Sequence, residues 1–454
     1  MGYLLQNGGL GMAGDWIITG GRPLQGRVEV PAAKNSVLPL LAAALLCSGP
    51  VRLQNVPRLT DVEDCLALLR GVGCTAGWQG AALAVQGQPM RTDLAPEAAG
   101  RMRASILFCA PLLARLGRVN TVLPGGCRIG ARPIDLHLQG LAQMGVRQLP
   151  AAPGQLTLYA PAGLRGAEIC LAFPSVGATE TLLLAAATAQ GQTVLHGAAK
   201  EPEIVDLAAF LNACGGCVEG AGTDTIRVQG KRCLAGCTFA PMADRIIAST
   251  LACAVAAAGG RVELAGCAPG LYAPLLEILE QMGCTVERAN DAAAISRFGA
   301  LRGAGNVHTA PYPGLATDAA PLLAAVMLCA QGESSLQDRV FENRFACAGG
   351  FAALGANVRV AERTLYVQPA GALHGAKLTA PDLRGGAALV VAALAARGSS
   401  RLDGVELVRR GYAELDRLLA GLGAQIWQEI PARRGLAKKT PMKKQFCLAI
   451  GAKK

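Results

Sequence analysis

Residues 181–216 read TLLLAAATAQGQTVLHGAAKEPEIVDLAAFLNACGG and contain every part of a structural unit that recurs along the chain. The Ala/Leu-rich residues 181–188 predict a buried helix, and residues 192–195 predict a short strand after a glycine break. Residues 203–211 have the apolar spacing of an amphipathic helix. Gly216 follows that helix, where a left-handed glycine cap is expected. The stretch therefore predicts the order helix, strand, helix, which is typical of α/β folds.

The unit recurs at intervals of roughly 70 residues, a regularity that indicates internal repeats. Each copy has a strand end of the form Leu-x-(Asn, Gly or Asp), and these leucines are Leu53, Leu123, Leu195, Leu264, Leu336 and Leu402. A glycine is expected to stop the second helix of each copy, at Gly73, Gly145, Gly216, Gly283, Gly355 and Gly423. Six such units predict an α/β protein with two globular halves of three units each, with helices buried inside and sheets outside.

The composition fits a soluble protein with a large aliphatic core. The chain has 454 residues, of which 52% are hydrophobic and 4% aromatic, and this length allows two or three domains. Apolar runs such as 37–47 and 248–258 are about eleven residues long, whereas a membrane span needs about 20. No segment has the order of a signal peptide. Sixteen cysteines in such a chain indicate reduced thiols, so we expect a cytoplasmic location without membrane association.

The basic excess is concentrated in a tail. The net charge is +11, and residues 428–454 contain eight Lys or Arg and one Glu. Lysine pairs alternate there with Pro, Gly and Ala, which favours a disordered, solvated extension. A contact with nucleic acid would call for interleaved aromatic residues and is not favoured. Residues 1 to about 13 also lie outside the repeats, and Met12 is an alternative start.

Residues 123–135, which we call the lid segment, read LPGGCRIGARPID. Gly125, Gly126 and Gly130 allow sharp turns and a close approach to a ligand. Cys127 stands outside any apolar periodic pattern and beside Arg128, and a thiol near cationic groups loses its proton more easily. A surface turn that happens to carry a cysteine is the alternative reading of these residue types.

The lid segment resembles the mobile lid loop of the UDP-N-acetylglucosamine 1-carboxyvinyltransferase family of enolpyruvyl transferases. That loop carries a catalytic cysteine in a Pro-Gly-Gly-Cys context, followed by Gly-x-Arg-Pro-x-Asp. The resemblance implies an inverse α/β barrel fold, with six helix–strand repeats in two domains and the active site between them. One domain would comprise residues 13–33 and 242–427, the other residues 34–241 with the lid, and residues 428–454 would form the tail.

The resemblance implies an activity and its chemistry. The enolpyruvyl group of phosphoenolpyruvate would be transferred to the 3′-hydroxyl of UDP-N-acetylglucosamine with release of phosphate, the first committed step of peptidoglycan precursor synthesis. Such addition and elimination needs an acid, a base and cations that hold a carboxylate and a phosphate. Cys127 would be the acid and Asp318 the base. The epoxide antibiotic fosfomycin should alkylate Cys127. No metal or redox cofactor is implied.

Several polar motifs stand at predicted helix starts. Lys34-Asn35 precede the first buried helix, and a helix N-terminus is a natural anion site, although a surface lysine with a capping residue is the alternative. Arg101 and Arg103 are predicted to open the next apolar helix, where paired cations oppose the macrodipole unless an anion neutralises them. Ser175 reads as an N-cap.

The second half repeats this placement. Asp244 and Thr317-Asp318 read as helix caps, and Asp382-Leu383-Arg384 is predicted to begin the sixth buried helix. Arg410, in an Arg-Arg-Gly-Tyr motif, suits a carboxylate because its guanidinium is planar. By the resemblance, Lys34, Arg132 and Arg410 form an anion clamp for phosphoenolpyruvate. The catalytic set is then Cys127, Asp318, Lys34 and Arg410. The substrate-binding set is Asn35, Arg103, Arg132, Pro133, Ile134, Asp135, Leu136, His137, Ser175, Val176, Gly177 and Val340.

Some residues depart from the family pattern. Ile247 stands where an acidic residue is usual, and Arg409 replaces the acid of Asp-Arg-Gly-Tyr. Ala319 and Ala320 follow Asp318 in place of polar residues. These changes keep open a non-catalytic paralogue that binds the nucleotide sugar or a protein partner.

Three further alternatives follow from other features. Cys214, Cys217, Cys233 and Cys237 have spacings that could ligate zinc, although the position of Cys217 in the repeat takes small apolar residues. A 3-phosphoshikimate enolpyruvyl transferase would share the repeats but lack the cysteine lid. A basic-tailed RNA-processing enzyme would bind RNA in a salt-sensitive manner.

Overall fold

The computed structural model describes residues 14–125, 129–130 and 132–429. Cys127, most of the basic tail and the residues before 14 lie outside the described residues. Within the described part there are 14 α-helices, 25 strands and four 3-10 helices. No helix in this part is long and apolar enough to cross a bilayer.

The α-helices are α1 (Lys34–Ala43), α2 (Thr60–Gly71), α3 (Pro96–Arg101), α4 (Cys109–Leu116), α5 (Asp135–Gln143), α6 (Val176–Ala186), α7 (Pro202–Ala213), α8 (Arg245–Ala258), α9 (Ala273–Gln281), α10 (Ala320–Met327), α11 (Ala348–Ala353), α12 (Leu383–Ala395), α13 (Val405–Arg409) and α14 (Leu415–Gly421). The 3-10 helices are Ala44–Leu46, Arg103–Phe108, Pro269–Tyr272 and Thr317–Ala319. The strands are β1 (Asp15–Thr19), β2 (Leu24–Glu29), β3 (Val51–Leu53), β4 (Thr75–Gln79), β5 (Ala82–Gln86), β6 (Arg118–Val122), β7 (Arg147–Leu149), β8 (Gln155–Tyr159), β9 (Glu168–Cys170), β10 (Gln192–His196), β11 (Val218–Glu219), β12 (Thr225–Gln229), β13 (Thr238–Phe239), β14 (Gly260–Ala265), β15 (Thr285–Arg288), β16 (Ala292–Arg297), β17 (Leu301–Arg302), β18 (Gly305–His308), β19 (Ala330–Gln331), β20 (Ser334–Gln337), β21 (Asn357–Ala361), β22 (Thr364–Gln368), β23 (Lys377–Thr379), β24 (Ser399–Asp403) and β25 (Gln425–Glu429).

The predicted order of helix, strand and helix in residues 181–216 is confirmed by α6, β10 and α7. Five of the six predicted leucines occupy the last or next-to-last position of a strand, and Leu123 directly follows β6. The glycine stops have positive φ, as predicted, except at the third copy. There the prediction of Gly216 is wrong, because α7 ends at Ala213 with Cys214 as its C-cap. The left-handed position therefore falls on Gly215, with φ +86°.

The sheets repeat one pairing pattern. In the sheet β13-β3-β5-β4, β13 runs parallel to β3, and the next two pairings are antiparallel. The same sequence of one parallel and two antiparallel pairings occurs in β18-β20-β22-β21 and in β23-β24-β1-β25. In the last of these, β1 from the start of the described chain lies between β24 and β25 from its end. The fold is mixed α/β, as predicted.

The apolar helices form two separate buried clusters. The first core draws on residues between 37 and 234 and includes α1, α4 and α6. The second core draws on residues 16–30 and 246–426, where α8, α10 and α12 pack against one another. Helices α8, α10 and α12 are buried along nearly their whole length. A helix that is apolar on nearly every side is typical of the interior of a domain.

The chain crosses between the two cores twice, and the crossings lie side by side. The Ala33 N–H donates to the Met242 carbonyl at 2.7 Å, and the Asp244 N–H donates to the Pro31 carbonyl at 2.8 Å. Ala32 and Ala243 form an antiparallel bridge between these bonds. The start of α1 and the start of α8 are thereby held next to each other.

Two helix-start predictions are wrong. Arg101 ends α3 instead of opening the next helix, and only Arg103 opens a 3-10 helix that leads into α4. Met102 between them is extended, which separates the two arginines. Asp318 does not cap a helix: it lies inside a 3-10 turn whose N-cap is Ala316. Its carboxylate is engaged by arginine side chains, as described below.

Candidate active site

A cleft of about 510 Å³ is lined by residues that belong to both cores. Helix starts supply much of its wall, because α1, α6, α8 and α12 all begin there. Of the predicted site residues that the structure describes, only Ile134 does not line the cleft, and its side chain packs against the first core. The predicted residues along the wall are Lys34, Asn35, Arg103, Arg132, Pro133, Asp135, Leu136, His137, Ser175, Val176, Gly177, Asp318, Val340 and Arg410. Cys127 lies outside the described residues.

Lys34 is not a surface residue, so the alternative reading of Lys34-Asn35 is wrong. Its side chain is 10% exposed, and its Nζ lies 2.8 Å from Oδ2 of Asp61. Arg410 reaches the same carboxylate from the second core, with Nε 3.0 Å from Oδ1. Burial alone would raise the pKa of Asp61, but the charges of Lys34 and Arg410 outweigh it and leave the pKa below its usual value. One carboxylate thus joins two cations of the predicted anion clamp.

Asp318 is held by two buried arginines. Arg344 Nη2 lies 2.5 Å from Oδ1, and Arg384 Nε lies 3.2 Å from Oδ2. The Asp318 side chain keeps 27% of its surface exposed, toward the cleft. Burial acts to raise the pKa of Asp318, yet Arg384 and Arg344 hold it far below its usual range. The residue is therefore a carboxylate at neutral pH.

A second carboxylate, Asp338, shapes the loop beside Asp318. Its Oδ1 accepts hydrogen bonds from the backbone N–H of Val340 at 2.8 Å and of Phe341 at 2.7 Å. Its Oδ2 accepts from the hydroxyl of Thr317 at 2.5 Å. Asp338 is fully buried, so these bonds fix the loop that carries Val340 to the cleft wall.

The lid segment lies against this loop from across the cleft. The Ile129 carbonyl accepts from the backbone N–H of Asn343 at 2.9 Å. The Arg132 guanidinium stands 5.6 Å from the centre of the Phe341 ring, within cation–π range. Gly130 has φ +145° and packs directly onto Glu342. This part of the lid, attached to the first core, is docked on the second.

Arg103 and His137 form the wall beside the lid. Arg103 donates to the carbonyl of Pro133 at 2.9 Å. Burial, reinforced by the nearby charge of Arg132, lowers the pKa of Arg103 to about 10. Burial, with the charge of Arg103, also lowers the pKa of His137 to about 4. His137 is therefore neutral at pH 7, and its Nδ1 lies 2.8 Å from the Thr181 hydroxyl.

The turn that starts α6 behaves as predicted at Ser175. Its hydroxyl oxygen accepts from the Ala178 N–H at 3.4 Å and caps the helix. A Cβ on Gly177 would lie 3.1 Å from Cε1 of His137. Glycine at this position therefore allows the imidazole and the helix start to pack together.

Acidic residues, including Glu180, Glu201 and Glu203, also line the cleft. Glu203 binds Arg245 through both carboxylate oxygens, with Nε–Oε1 at 3.0 Å and Nη2–Oε2 at 3.2 Å. Burial raises the pKa of Glu180 well above its usual value, and the nearby charges of Glu203 and Glu201 add to this. Asp244 caps α8 as predicted, accepting from the N–H groups of residues 246 and 247, and it also accepts from the Lys34 N–H at 3.2 Å.

The four residues that depart from the family pattern lie outside the cleft wall. Ile247, Ala319 and Ala320 are 3%, 2% and 0% exposed and belong to the second core. Arg409 donates to Oε1 of Gln428 at 2.9 Å and stands over the Trp16 ring. None of the four is among the described residues that line the cleft.

Several cleft residues were absent from the predicted site. Asp61 lies in the first turn of α2, and nothing in the local sequence indicates its two partners. Arg344 and Arg384 also line the cleft, and their partner Asp318 lies 26 and 66 positions away in the sequence. The zinc alternative gains no support, since the described residues contain no group of three or more His, Cys, Asp or Glu that could hold a metal.

Comparison with known proteins agrees with this geometry. A family model described as EPSP synthase (3-phosphoshikimate 1-carboxyvinyltransferase) matches residues 18–419. A UDP-N-acetylglucosamine 1-carboxyvinyltransferase of Nitratidesulfovibrio vulgaris is 42% identical over 91% of this chain and 99% of its own length. The protein of that name from Maricaulis maris is 43% identical over 90% of this chain and 97% of its own.

Solved structures show the same fold. The enolpyruvyl transferase NikO from Streptomyces tendae has a TM-score of 0.80 at 27% identity, covering 91% of this chain and 99% of that one. EPSP synthase from Acinetobacter baumannii has a TM-score of 0.71 at 20% identity, covering 92% of this chain and 100% of that one. The second likeness concerns the fold alone.

Proposed function

This chain belongs to the UDP-N-acetylglucosamine 1-carboxyvinyltransferase family, and we propose that it transfers the enolpyruvyl group of phosphoenolpyruvate to the 3′-hydroxyl of UDP-N-acetylglucosamine. The supporting observation is that Lys34, Arg132 and Arg410 meet in one cleft with an ionised Asp318. Such a site combines cations for an anionic substrate with an acceptor for a hydroxyl proton. The product would enter peptidoglycan precursor synthesis.

The reaction is an addition followed by an elimination. In the addition, the 3′-oxygen bonds to C2 of phosphoenolpyruvate, Asp318 takes the hydroxyl proton, and C3 gains a proton from Cys127. In the elimination, C3 returns a proton to the Cys127 thiolate, the C2–C3 double bond re-forms, the C2–O bond to phosphate breaks, and the departing phosphate takes the proton held by Asp318. The sum is one enolpyruvyl ether and one inorganic phosphate.

Asp318 acts in this scheme as a carboxylate of low basicity. Its two arginines keep it ionised, but they also weaken its hold on a proton. Proton transfer from the sugar hydroxyl therefore has to accompany C–O bond formation, when the hydroxyl becomes strongly acidic. The 27% of the side chain that faces the cleft supplies the access that this transfer needs.

The anion clamp binds phosphoenolpyruvate through charge-assisted hydrogen bonds, which are stronger than neutral ones. Lys34 and Arg410 lie together at Asp61, and Arg132 approaches from the lid. We assign the nucleotide-sugar contacts to the predicted residues that line the cleft, namely Asn35, Arg103, Pro133, Asp135, Leu136, His137, Ser175, Val176, Gly177 and Val340. Arg103 suits the diphosphate, because its guanidinium remains charged at neutral pH even with its lowered pKa.

We propose that the lid segment closes over both substrates and brings Cys127 to them. The contact of Ile129 with Asn343 and the stacking of Arg132 on Phe341 support a closed position. Closure of this kind excludes water and completes the catalytic set.

For the architecture we propose two inverse α/β barrels of three units each. Residues 13–33 with 242–427 would form one domain and residues 34–241 the other. Two buried cores and the recurrent strand pairing support this division. The paired crossings near Ala33 and Asp244 would then form the connection between the domains.

A binding-only paralogue is not favoured, because the unusual residues Ile247, Ala319, Ala320 and Arg409 lie outside the cleft wall. The test is phosphate release from phosphoenolpyruvate with UDP-N-acetylglucosamine, with 3-phosphoshikimate as the competing acceptor. We expect phosphate release from phosphoenolpyruvate when UDP-N-acetylglucosamine is the acceptor and none when 3-phosphoshikimate is the acceptor. Cys127→Ala should release no phosphate with either acceptor. Release that requires 3-phosphoshikimate, or none with either acceptor, would contradict the proposal.

A further inference from the structure

Asp61 lies where the two cores meet, at the start of a buried helix. It is the second residue of α2, and it is 3% exposed. A carboxylate in the first turn of a helix is stabilised by the unpaired N–H groups and the helix dipole. The helix start therefore favours the ionised form of the Asp61 side chain.

The two cations that Asp61 binds come from different cores. Lys34 begins α1 beside the first core, and its Nζ is 2.8 Å from Oδ2. Arg410 directly follows α13 beside the second core, and its Nε is 3.0 Å from Oδ1. Each cation takes one carboxylate oxygen, so Asp61 bridges a cation of one core to a cation of the other.

This arrangement leaves hydrogen-bond donors for a ligand. A lysine ammonium has three N–H donors and a guanidinium has five. Asp61 uses one from each, and Arg410 Nη2 makes one more bond, to the Arg101 carbonyl at 3.3 Å. Lys34, Asp61 and Arg410 all line the cleft, so donors of both cations remain available there.

The charges explain why a carboxylate is needed. Without Asp61, two cations would face each other in a partly buried place, and their repulsion would move the Arg410 side chain, which is 22% exposed, away from the buried Lys34. With Asp61 ionised, the three groups carry a net charge of +1. This net positive charge still attracts an anionic ligand, and the carboxylate keeps Lys34 and Arg410 close to each other.

We propose that Asp61 is a positioning residue, which holds Lys34 and Arg410 from opposite cores in the orientation that binds phosphoenolpyruvate. The inference rests on the proposed function. Asp61 acts through the two cations and makes no contact with the reacting atoms. Its loss should therefore affect phosphoenolpyruvate far more than the nucleotide sugar.

The test compares Asp61→Asn with Asp64→Asn. Asp64 is a matched control, because it lies on the same helix, is buried, and binds one arginine, Arg101, at 2.6 Å. For Asp61→Asn we expect kcat/KM for phosphoenolpyruvate to fall about 30-fold or more, as small misplacements of binding groups do. The KM for UDP-N-acetylglucosamine should stay within about threefold, a change typical of lost peripheral contacts. Asp64→Asn should lower Tm without this selective loss.

Two further measurements keep the outcome decisive. Calorimetric titration of phosphoenolpyruvate into Cys127→Ala, with and without Asp61→Asn and with UDP-N-acetylglucosamine present, measures binding without turnover. It tests Asp61 even if the wild-type chain releases no phosphate, a result that would overturn the proposed function instead. If Asp61→Asn does not fold, Asp61→Glu keeps the charge but moves it by one methylene, and should show the same selective loss. Equal affinity for phosphoenolpyruvate in wild type and in a folded Asp61 variant would overturn the inference.

Discussion

The carbonyl oxygen of Ile129 and the backbone N–H of Asn343 are joined by a 2.9 Å hydrogen bond. Ile129 belongs to the lid segment, which extends from the first core, and Asn343 belongs to a loop of the second core. A backbone bond of this kind does not depend on side-chain identity. It depends on how closely the two backbone segments approach each other. Gly130 permits this approach, because it has no side chain to meet Glu342.

Gly130→Ala should impair catalysis without unfolding the protein. The new Cβ would lie 3.1 Å from the Glu342 backbone nitrogen and would displace the Glu342 side chain, which is paired with Arg363 at 2.9 Å. The lid would then dock poorly, and we expect kcat to fall about tenfold or more, as for other closing loops. Steady-state phosphate release measures this.

Gly163→Ala is the control for backbone strain. Gly163 also has positive φ, at +71°, but an added Cβ would meet no atom within 4 Å. Both variants place a non-glycine residue at positive φ, which costs on the order of 1–3 kcal/mol. A loss of activity in Gly163→Ala equal to that in Gly130→Ala would show that the docking contact is unimportant.

Asp318→Asn should abolish turnover while leaving substrate binding in place. The amide keeps the shape of the carboxylate but cannot accept the hydroxyl proton, so kcat should fall about 10²–10⁴-fold. Binding of UDP-N-acetylglucosamine, followed by calorimetry, should change far less. A kcat close to that of wild type would remove Asp318 from the role of base.

Fosfomycin should inactivate the enzyme by forming one covalent adduct at Cys127. Cys170 and Cys233 provide the internal comparison, because both thiols are exposed and neither belongs to the described residues that line the cleft. Peptide mass spectrometry after limited treatment locates the adduct. Modification of Cys170 or Cys233 with Cys127 untouched would refute the assignment.

The wild-type protein should lose stability on acidification through His137. Its folded pKa is about 4, below the usual value near 6.5, so between these pH values the unfolded chain binds more protons. Stability from this residue is full above about pH 6.5 and is lost as the pH falls to about 4, an effect of about 3 kcal/mol.

The difference between wild type and His137→Gln isolates this contribution from other titrating groups. The Tm advantage of the wild type should shrink steadily as the pH is lowered from 7 to 4. A difference in Tm that does not change over this interval would mean that His137 is not held neutral by burial.

Arg409→Ala should affect stability and not catalysis. The guanidinium contacts Gln428 and the Trp16 ring and does not reach the cleft wall. Its removal should cost about 1 kcal/mol, typical of a cation–π contact with one hydrogen bond, with kcat/KM essentially unchanged. Thermal unfolding and phosphate release, measured on the same preparation, would check both parts. A large kinetic effect would mean that this departure from the family pattern alters the active site.

Local chemistry was enough to predict the units and their boundaries. A glycine that ends a helix and a leucine near the end of a strand depend only on neighbouring residues. The helix end at Gly73 and the strand end at Leu195 could therefore be predicted from the sequence. The error at Gly216 arose because two adjacent glycines fit the same cap. Only the observed end of α7 decides between Gly215 and Gly216.

Long-range pairing could not be predicted from the residues. Lys34 is buried because Asp61 and Asp244 reach it from 27 and 210 positions away. Asp318 looks like a helix cap until Arg344 and Arg384 are placed around it. The resemblance supplied the site residues without these partners, which became visible once both cores were assembled.

The side-by-side crossings at Ala33 and Asp244 have a consequence for synthesis on the ribosome. The first core can assemble as soon as residues up to about 240 have emerged, since domains generally fold as units during translation. Strand β1 has by then long left the exit tunnel, yet its neighbours β24 and β25 are made some 380 residues after it. The nascent chain must therefore keep β1 unpaired until residues 399–429 have been made, and this is the interval in which a chaperone would have most to protect.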